Sequence, residues 1–296
     1  AGDTALHWAI SGRHTDVISL LLGKGANIHE PSAKGVTPLM RACMGGHEAA
    51  VVLLLDRGAH LEARGMHGDT PLMWALLYGR ERVAELLIAR GAETATANDD
   101  GETPLTLAAS SGLVGVVRLL LDRGEAVDTR TKSGDTPLMF AASEGQSGVV
   151  ELLLARGADV RARNNRGHDA LFYACFEGHA RCAELLIGAG ADLTAVDEVT
   201  GDTLLMLACK HKMEAVALLV ITKGVDIDKR NKEGETALTR ACAHGLSSVA
   251  TLLIERGADV TARTKKGATA LSLAEASGLV GVAALLRSKG APGAGE

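Results

Sequence analysis

The sequence predicts an all-α chain of nine tandem helix–turn–helix units, and three observations lead there. The first is a period. The glycine that opens GDTPLM at 68–73 has equivalents at Gly2, Gly35, Gly101, Gly134, Gly167, Gly201, Gly234 and Gly267, every step being 33 residues except 34 from Gly167 to Gly201. The second is a set of columns on the same beat. Leu6, Leu39, Leu72, Leu105, Leu138, Leu171, Leu205, Leu238 and Leu271 are followed three residues on by nine alanines, Ala9 to Ala274, and a third column from Leu20 to Leu285 is all leucine. The third is composition: 47% hydrophobic but only 2% aromatic, with 35 glycines, which suits small helices packed closely between glycine turns.

Each element of a unit has its own justification, taken here from the third. Thr70 is an N-cap whose hydroxyl can accept from the free amides of the helix that follows. Pro71 stands at the first helical position, where a missing N–H costs nothing. Leu72, Ala75 and Leu76 then share one face of a short helix that Gly79 breaks. A second helix runs from Glu81 to Ala89 with Val83, Leu86 and Leu87 on its apolar stripe, and Gly91 stops it. The polar, turn-rich stretch from Ala92 to Gly101 leads into the next Thr103–Pro104.

GDTPLMWALLYGRERVAELLIARGAE, GETPLTLAASSGLVGVVRLLLDRGEA and GDTPLMFAASEGQSGVVELLLARGAD resemble ankyrin repeats, and the resemblance runs through all nine units. It implies an α-solenoid: antiparallel helix pairs joined by β-hairpin-like loops and stacked into a curved, right-angled array. The implied layout is one ankyrin repeat domain over 1–296, with repeats at about 1–32, 33–65, 66–98, 99–131, 132–164, 165–198, 199–231, 232–264 and 265–296. It also implies that partners bind the concave face, lined by the shorter first helices and the hairpin tips.

Bulk properties bound the function. A net charge of −5 gives no general attraction for nucleic acid or anionic membrane, and neither a nucleic-acid partner nor membrane insertion is expected. No apolar run approaches the ~20 residues that span a bilayer, and no signal-peptide pattern is present. Five scattered cysteines suit a reducing, intracellular setting, read as cytoplasmic with the nucleus or an organelle interior left open. Cys43, Cys175, Cys209 and Cys242 share a small helix-one column and Cys182 a valine column, so they read as small hydrophobes rather than metal ligands. His47–Glu48 lacks the second histidine of a zinc-protease helix, and Gly188–Ala189–Gly190 is too sparse for a dinucleotide fingerprint. His14, His47 and His179 share a turn column. No catalytic residue, cofactor or metal is therefore expected.

A cation precedes the stop glycine in eight units, from Lys24 and Arg57 to Arg256 and Lys289. A stripe for phosphate or membrane is one reading; a charge set against each helix dipole, at ~0.3–1 kcal/mol apiece, is the favoured one. The hairpin tips vary more. Asp69, Asp99, Asp100, Glu102 and Asp135 make the middle acidic, and Arg161, Arg163, Arg166, Lys229, Arg230, Lys232, Lys265 and Lys266 make later tips basic. Two columns just before the inter-helix turn also vary while their neighbours stay constant. They hold Met44, Leu77, Tyr78, Phe176, Glu177, Lys210, His211 and His244, and these, with Asp69, Asp100, Glu102, Asp135 and Arg166, are the expected partner-binding residues. Tyr78 and Phe176 are read as exposed anchors, against the alternative that they fold back as extra core. Trp8 and Trp74 are assigned to packing.

Three further expectations concern single units. Glu275 and Arg287 stand where other units are small or aliphatic, which reads as the polar outer face of a C-terminal cap, with Pro292 and a Gly/Ala tail leaving the pattern. The seventh unit, with its inserted residue, Leu204 in place of proline and Lys212 at the turn glycine, is expected to be the loosest. The first unit opens abruptly at Ala1. The leading function is a non-catalytic protein-interaction scaffold or adaptor. The runner-up is a regulatory or targeting arm of a larger protein or multi-protein complex whose active domain lies outside this chain.

Overall fold

The computed structural model describes residues 2–293, so Ala1 and the end of the Gly/Ala tail lie outside the described residues. The chain divides into two compact units, Ala1–Gly167 and His168–Glu296. The first holds α1 (Ala5–Ser11), α2 (Thr15–Gly23), α3 (Pro38–Gly45), α4 (Glu48–Asp56), α5 (Pro71–Leu77), α6 (Glu81–Ala89), α7 (Pro104–Ser110), α8 (Val114–Asp122), α9 (Pro137–Ser143) and α10 (Ser147–Ala155). The second holds α11 (Ala170–Glu177), α12 (Ala180–Gly188), α13 (Leu204–Lys210), α14 (Glu214–Thr222), α15 (Ala237–Ala243), α16 (Ser247–Glu255), α17 (Ala270–Ala276) and α18 (Val280–Ser288). Among the described residues β pairing is limited to isolated bridges, Val196 with Thr203 and Arg263 with Thr269, so the fold is all-α.

The N-caps form as the residue types demand. In the first unit Thr37 and Thr70 accept from the amides of Met40 and Met73 at 3.2 and 3.3 Å. In the second, Thr203 accepts from Met206 at 3.3 Å, and Asp169 does the same work for Phe172 at 2.8 Å. The turn between helices needs a left-handed residue. Glycine supplies it at Gly79, with φ 66°, but Lys212 (φ 56°) and Arg13 (φ 59°) adopt it without glycine's freedom.

Each unit is a stack in which first helices pack on first helices and second on second: α1 on α3, α5, α7 and α9 in turn, and α11 on α13, α15 and α17. The core of each stack is the leucine and alanine columns of the first helices, buried throughout. On the second helix α6 the buried residues are Val83, Ala84, Leu87 and Ile88. The invariant leucine column beginning at Leu20 is covered unevenly: Leu152 is buried, Leu53, Leu86 and Leu119 are half-buried and Leu20 is 60% exposed. Hairpins link neighbouring repeats by a main-chain rung, such as the amide of Asp99 donating to the carbonyl of His67 at 2.9 Å, or Lys232 to Thr200 at 2.9 Å. The inserted residue is absorbed at a tip, where Gly201 donates to Asp197 at 2.7 Å across one residue more than Gly101 needs to reach Asn98.

Candidate partner-binding face

In the first unit two residues of the variable columns, Met44 and Tyr78, meet both tryptophans on a groove across its first three repeats. Trp8 from α1, Met44 from α3, and Trp74 and Tyr78 from α5 and its C-cap line it, with Asp3 and Arg41 alongside, around a volume of about 690 Å³. The Arg41 guanidinium donates to both Asp3 oxygens, at 3.0 and 3.1 Å. Tyr78 is 46% exposed and stacks on Trp74 with ring centroids 5.8 Å apart, while Leu77 beside it is 45% exposed. Tyr78 therefore does not fold back into the core. Trp8 corrects the packing assignment, because 65% of it is exposed. Trp74 is half-buried, and its indole N–H is enclosed without an acceptor.

In the second unit Phe176 is 39% exposed at the end of α11 and stacks on the buried Phe172, which stacks in turn on His168. Lys210 Nζ lies 5.8 Å from the Phe176 ring centroid, a cation over an aromatic face. Glu177 and Lys210 are exposed, and His211 and His244 are half-buried beside them. Burial, then the charge of Lys210, holds the His211 pKa below its ordinary value. Burial followed by Arg240 and Lys212 does the same for His244. His211 also carries a buried Nε2 without a partner.

The tips need a correction. Asp69 is not solvated: it is 6% exposed and accepts from Asn98 Nδ2 at 2.9 Å. The half-buried Asp135 accepts from Asn164 Nδ2 at 2.6 Å in the same way, and Asp202 from Asn231 Nδ2 at 2.6 Å in the second unit. Glu102 accepts from Asn98 as well, at 2.9 Å, whereas Asp100 and Arg166 present exposed side chains. Thus an acid at the second position of the hexapeptide and an asparagine 29 residues later clasp consecutive repeats. That spacing stands in the sequence, but nothing local in it announces a bond.

All five cysteines are buried and unpaired with one another; burial pushes the thiols of Cys175, Cys209 and Cys242 up to about 12 and that of Cys182 to about 11. The His47 ring faces Thr15 Oγ1 at 3.2 Å across the repeat boundary, and burial followed by Arg13 lowers its pKa. Among the described residues no group of three or more His, Cys, Asp or Glu side chains could hold a metal. The basic column caps its helices: Arg90 and Arg156 close α6 and α10 and reach Asp56 and Asp122 at 2.9 and 2.8 Å. Glu275 and Arg287 are exposed and pair with each other at 2.6 Å.

These stacks of capped helix pairs, clasped at their hairpins and bearing exposed apolar side chains in the variable columns, define an α-helical tandem-repeat protein. The three-copy ankyrin repeat family model matches overlapping segments 6–98, 63–131, 86–164, 124–197, 160–231 and 205–293. The chain belongs to the ankyrin repeat family. Comparison with curated proteins gives no match. Ankyrin repeats are generally protein–protein interaction modules, typically without catalytic activity. No helix among the described residues is long and apolar enough to cross a membrane.

Proposed function

We propose that this chain is a non-catalytic scaffold or adaptor that holds a protein partner on the face of its first helices, the face ankyrin arrays present as concave. The observation that carries the reading is the exposure of Trp8, Leu77, Tyr78 and Phe176 on first helices and a C-cap, beside leucine and alanine columns that are constant and buried. Large aromatic side chains held at a surface lose less on entering an interface than they do standing in water, and they dominate interface energies. A cytoplasmic setting belongs to the same proposal, since buried unpaired thiols suit a reducing compartment. The test is affinity capture on the tagged chain, followed by Tyr78→Ala and Phe176→Ala. Each substitution is expected to weaken the captured complex by ~2 kcal/mol, about thirtyfold, with the thermal midpoint nearly unchanged. Capture untouched by both, together with lost stability, would overturn the proposal.

A further inference from the structure

The groove of the first unit has a chemistry beyond being apolar. Resting on the function proposed above, we infer that it binds an extended, acidic segment of the partner with large apolar side chains between its carboxylates. Length comes first. Asp3 and Trp8 belong to the first repeat, Arg41 and Met44 to the second, Trp74 and Tyr78 to the third. Two repeat steps at about 10 Å each span ~20 Å, or about six residues of extended chain at 3.3 Å apiece. One side chain cannot fill such a groove; a strand-like segment can. Its end is marked as well, because the equivalent positions in the next repeat are Leu107, buried, and Ser110 and Ser111, small and polar.

Charge follows. The one carboxylate lining the groove, on Asp3, is already engaged through both oxygens by Arg41. Lys34 lines the groove too, exposed and without an ion-pair partner among the described residues. Arg13 and Arg80 stand outside the lining: Arg13 donates to the carbonyls of Gly45 and Gly46, and Arg80 donates to that of Met44 while lining a separate pocket with Glu48 and Glu81. The groove therefore offers aromatic surface, one neutralised ion pair and one cation, Lys34, left over. Alternating apolar and acidic side chains complement it, and basic ones are repelled.

The chain itself supplies the probe. It has two tryptophans, and both line this groove, so intrinsic emission reports on it directly. Two blocked hexapeptides are titrated into the full chain at low salt, one alternating glutamate with leucine and phenylalanine, the other with lysine in place of glutamate. The acidic peptide is expected to shift the emission saturably below about 1 mM, and the basic one to bind at least tenfold more weakly. Lys34→Glu should erase that preference, and Trp8→Ala should weaken the acidic peptide at least tenfold while the thermal midpoint holds. Equal binding of the two peptides, no emission change, or a preference indifferent to Lys34→Glu would overturn the inference. If it fails while Tyr78→Ala still releases the captured partner, the scaffold reading stands and only the ligand chemistry is wrong. If the peptides behave as stated while capture ignores Tyr78→Ala and Phe176→Ala, the scaffold reading falls by itself.

Discussion

Asp69 and Asp100 are both tip carboxylates by position, yet their surroundings give them different work. Asp69 is buried against the Asn98 amide at 2.9 Å, while Asp100 is exposed. Asn98 Nδ2 keeps a second acceptor in Glu102 at 2.9 Å, so losing Asp69 weakens the clasp without stripping the amide bare. Asp69→Ala is expected to lower stability by ~1–3 kcal/mol in urea denaturation, the range for a broken buried bond to a charged group. Asp100→Ala should stay within ~0.5 kcal/mol of the parent chain. Equal effects would mean that the clasp contributes nothing at this site. The two tryptophans teach a similar lesson: one column, the same residue, and Trp8 outside while Trp74 is partly covered.

For elements, the informative comparison is between turns. Lys212 closes the turn between α13 and α14 in the left-handed region, and Arg13 does so between α1 and α2. Each forgoes on the order of 1 kcal/mol that glycine would not. Arg13 recovers some of that through its guanidinium, 3.1 and 3.3 Å from the carbonyls of Gly45 and Gly46 in the next repeat. Lys212→Gly should therefore stabilise the protein by up to ~1 kcal/mol, and Arg13→Gly by clearly less. Hydrogen exchange localises the effect: amides over 203–221 are expected to exchange faster than those over 103–121, and Lys212→Gly to slow them. Equal protection of the two segments in the parent chain would dismiss the seventh repeat as a weak point.

For the whole molecule, protonation is the broadest lever. His47 in the first unit and His211 and His244 in the second have pKa values lowered chiefly by burial. The unfolded chain then binds more protons than the folded one as pH falls, so the stability from these groups is complete above about pH 6.5 and is lost below it. Two carboxylates are also depressed. Asp197 is lowered because bonds from Thr200 and Val199 outweigh its burial, and Asp259 mainly by the Thr261 hydroxyl. Both lose their contribution only below the ordinary carboxylate range, so the window from about pH 7 to about pH 5 belongs to the histidines. The thermal midpoint is expected to fall across that window, and His211→Gln with His244→Gln to flatten part of the fall. A midpoint that rose on acidification would contradict the assignment.

The period, the caps, the turn glycines and the helix pairing were legible in the letters because each arises within a few residues. Thr70 meets Met73 three positions on, and Gly79 bends the chain where it stands. Exposure is not local in that sense. Leucine recurs in every repeat from Leu20 onward, yet how far each is covered depends on the neighbouring helices. Asp69 reads as a solvated tip until Asn98, 29 residues away, folds over it, and Trp8 and Met44 meet Trp74 and Tyr78 only when three repeats stack. Short-range sterics and hydrogen bonding write the repeat into the chain. Burial and the grouping of side chains from different repeats arise only when the repeats lie against one another.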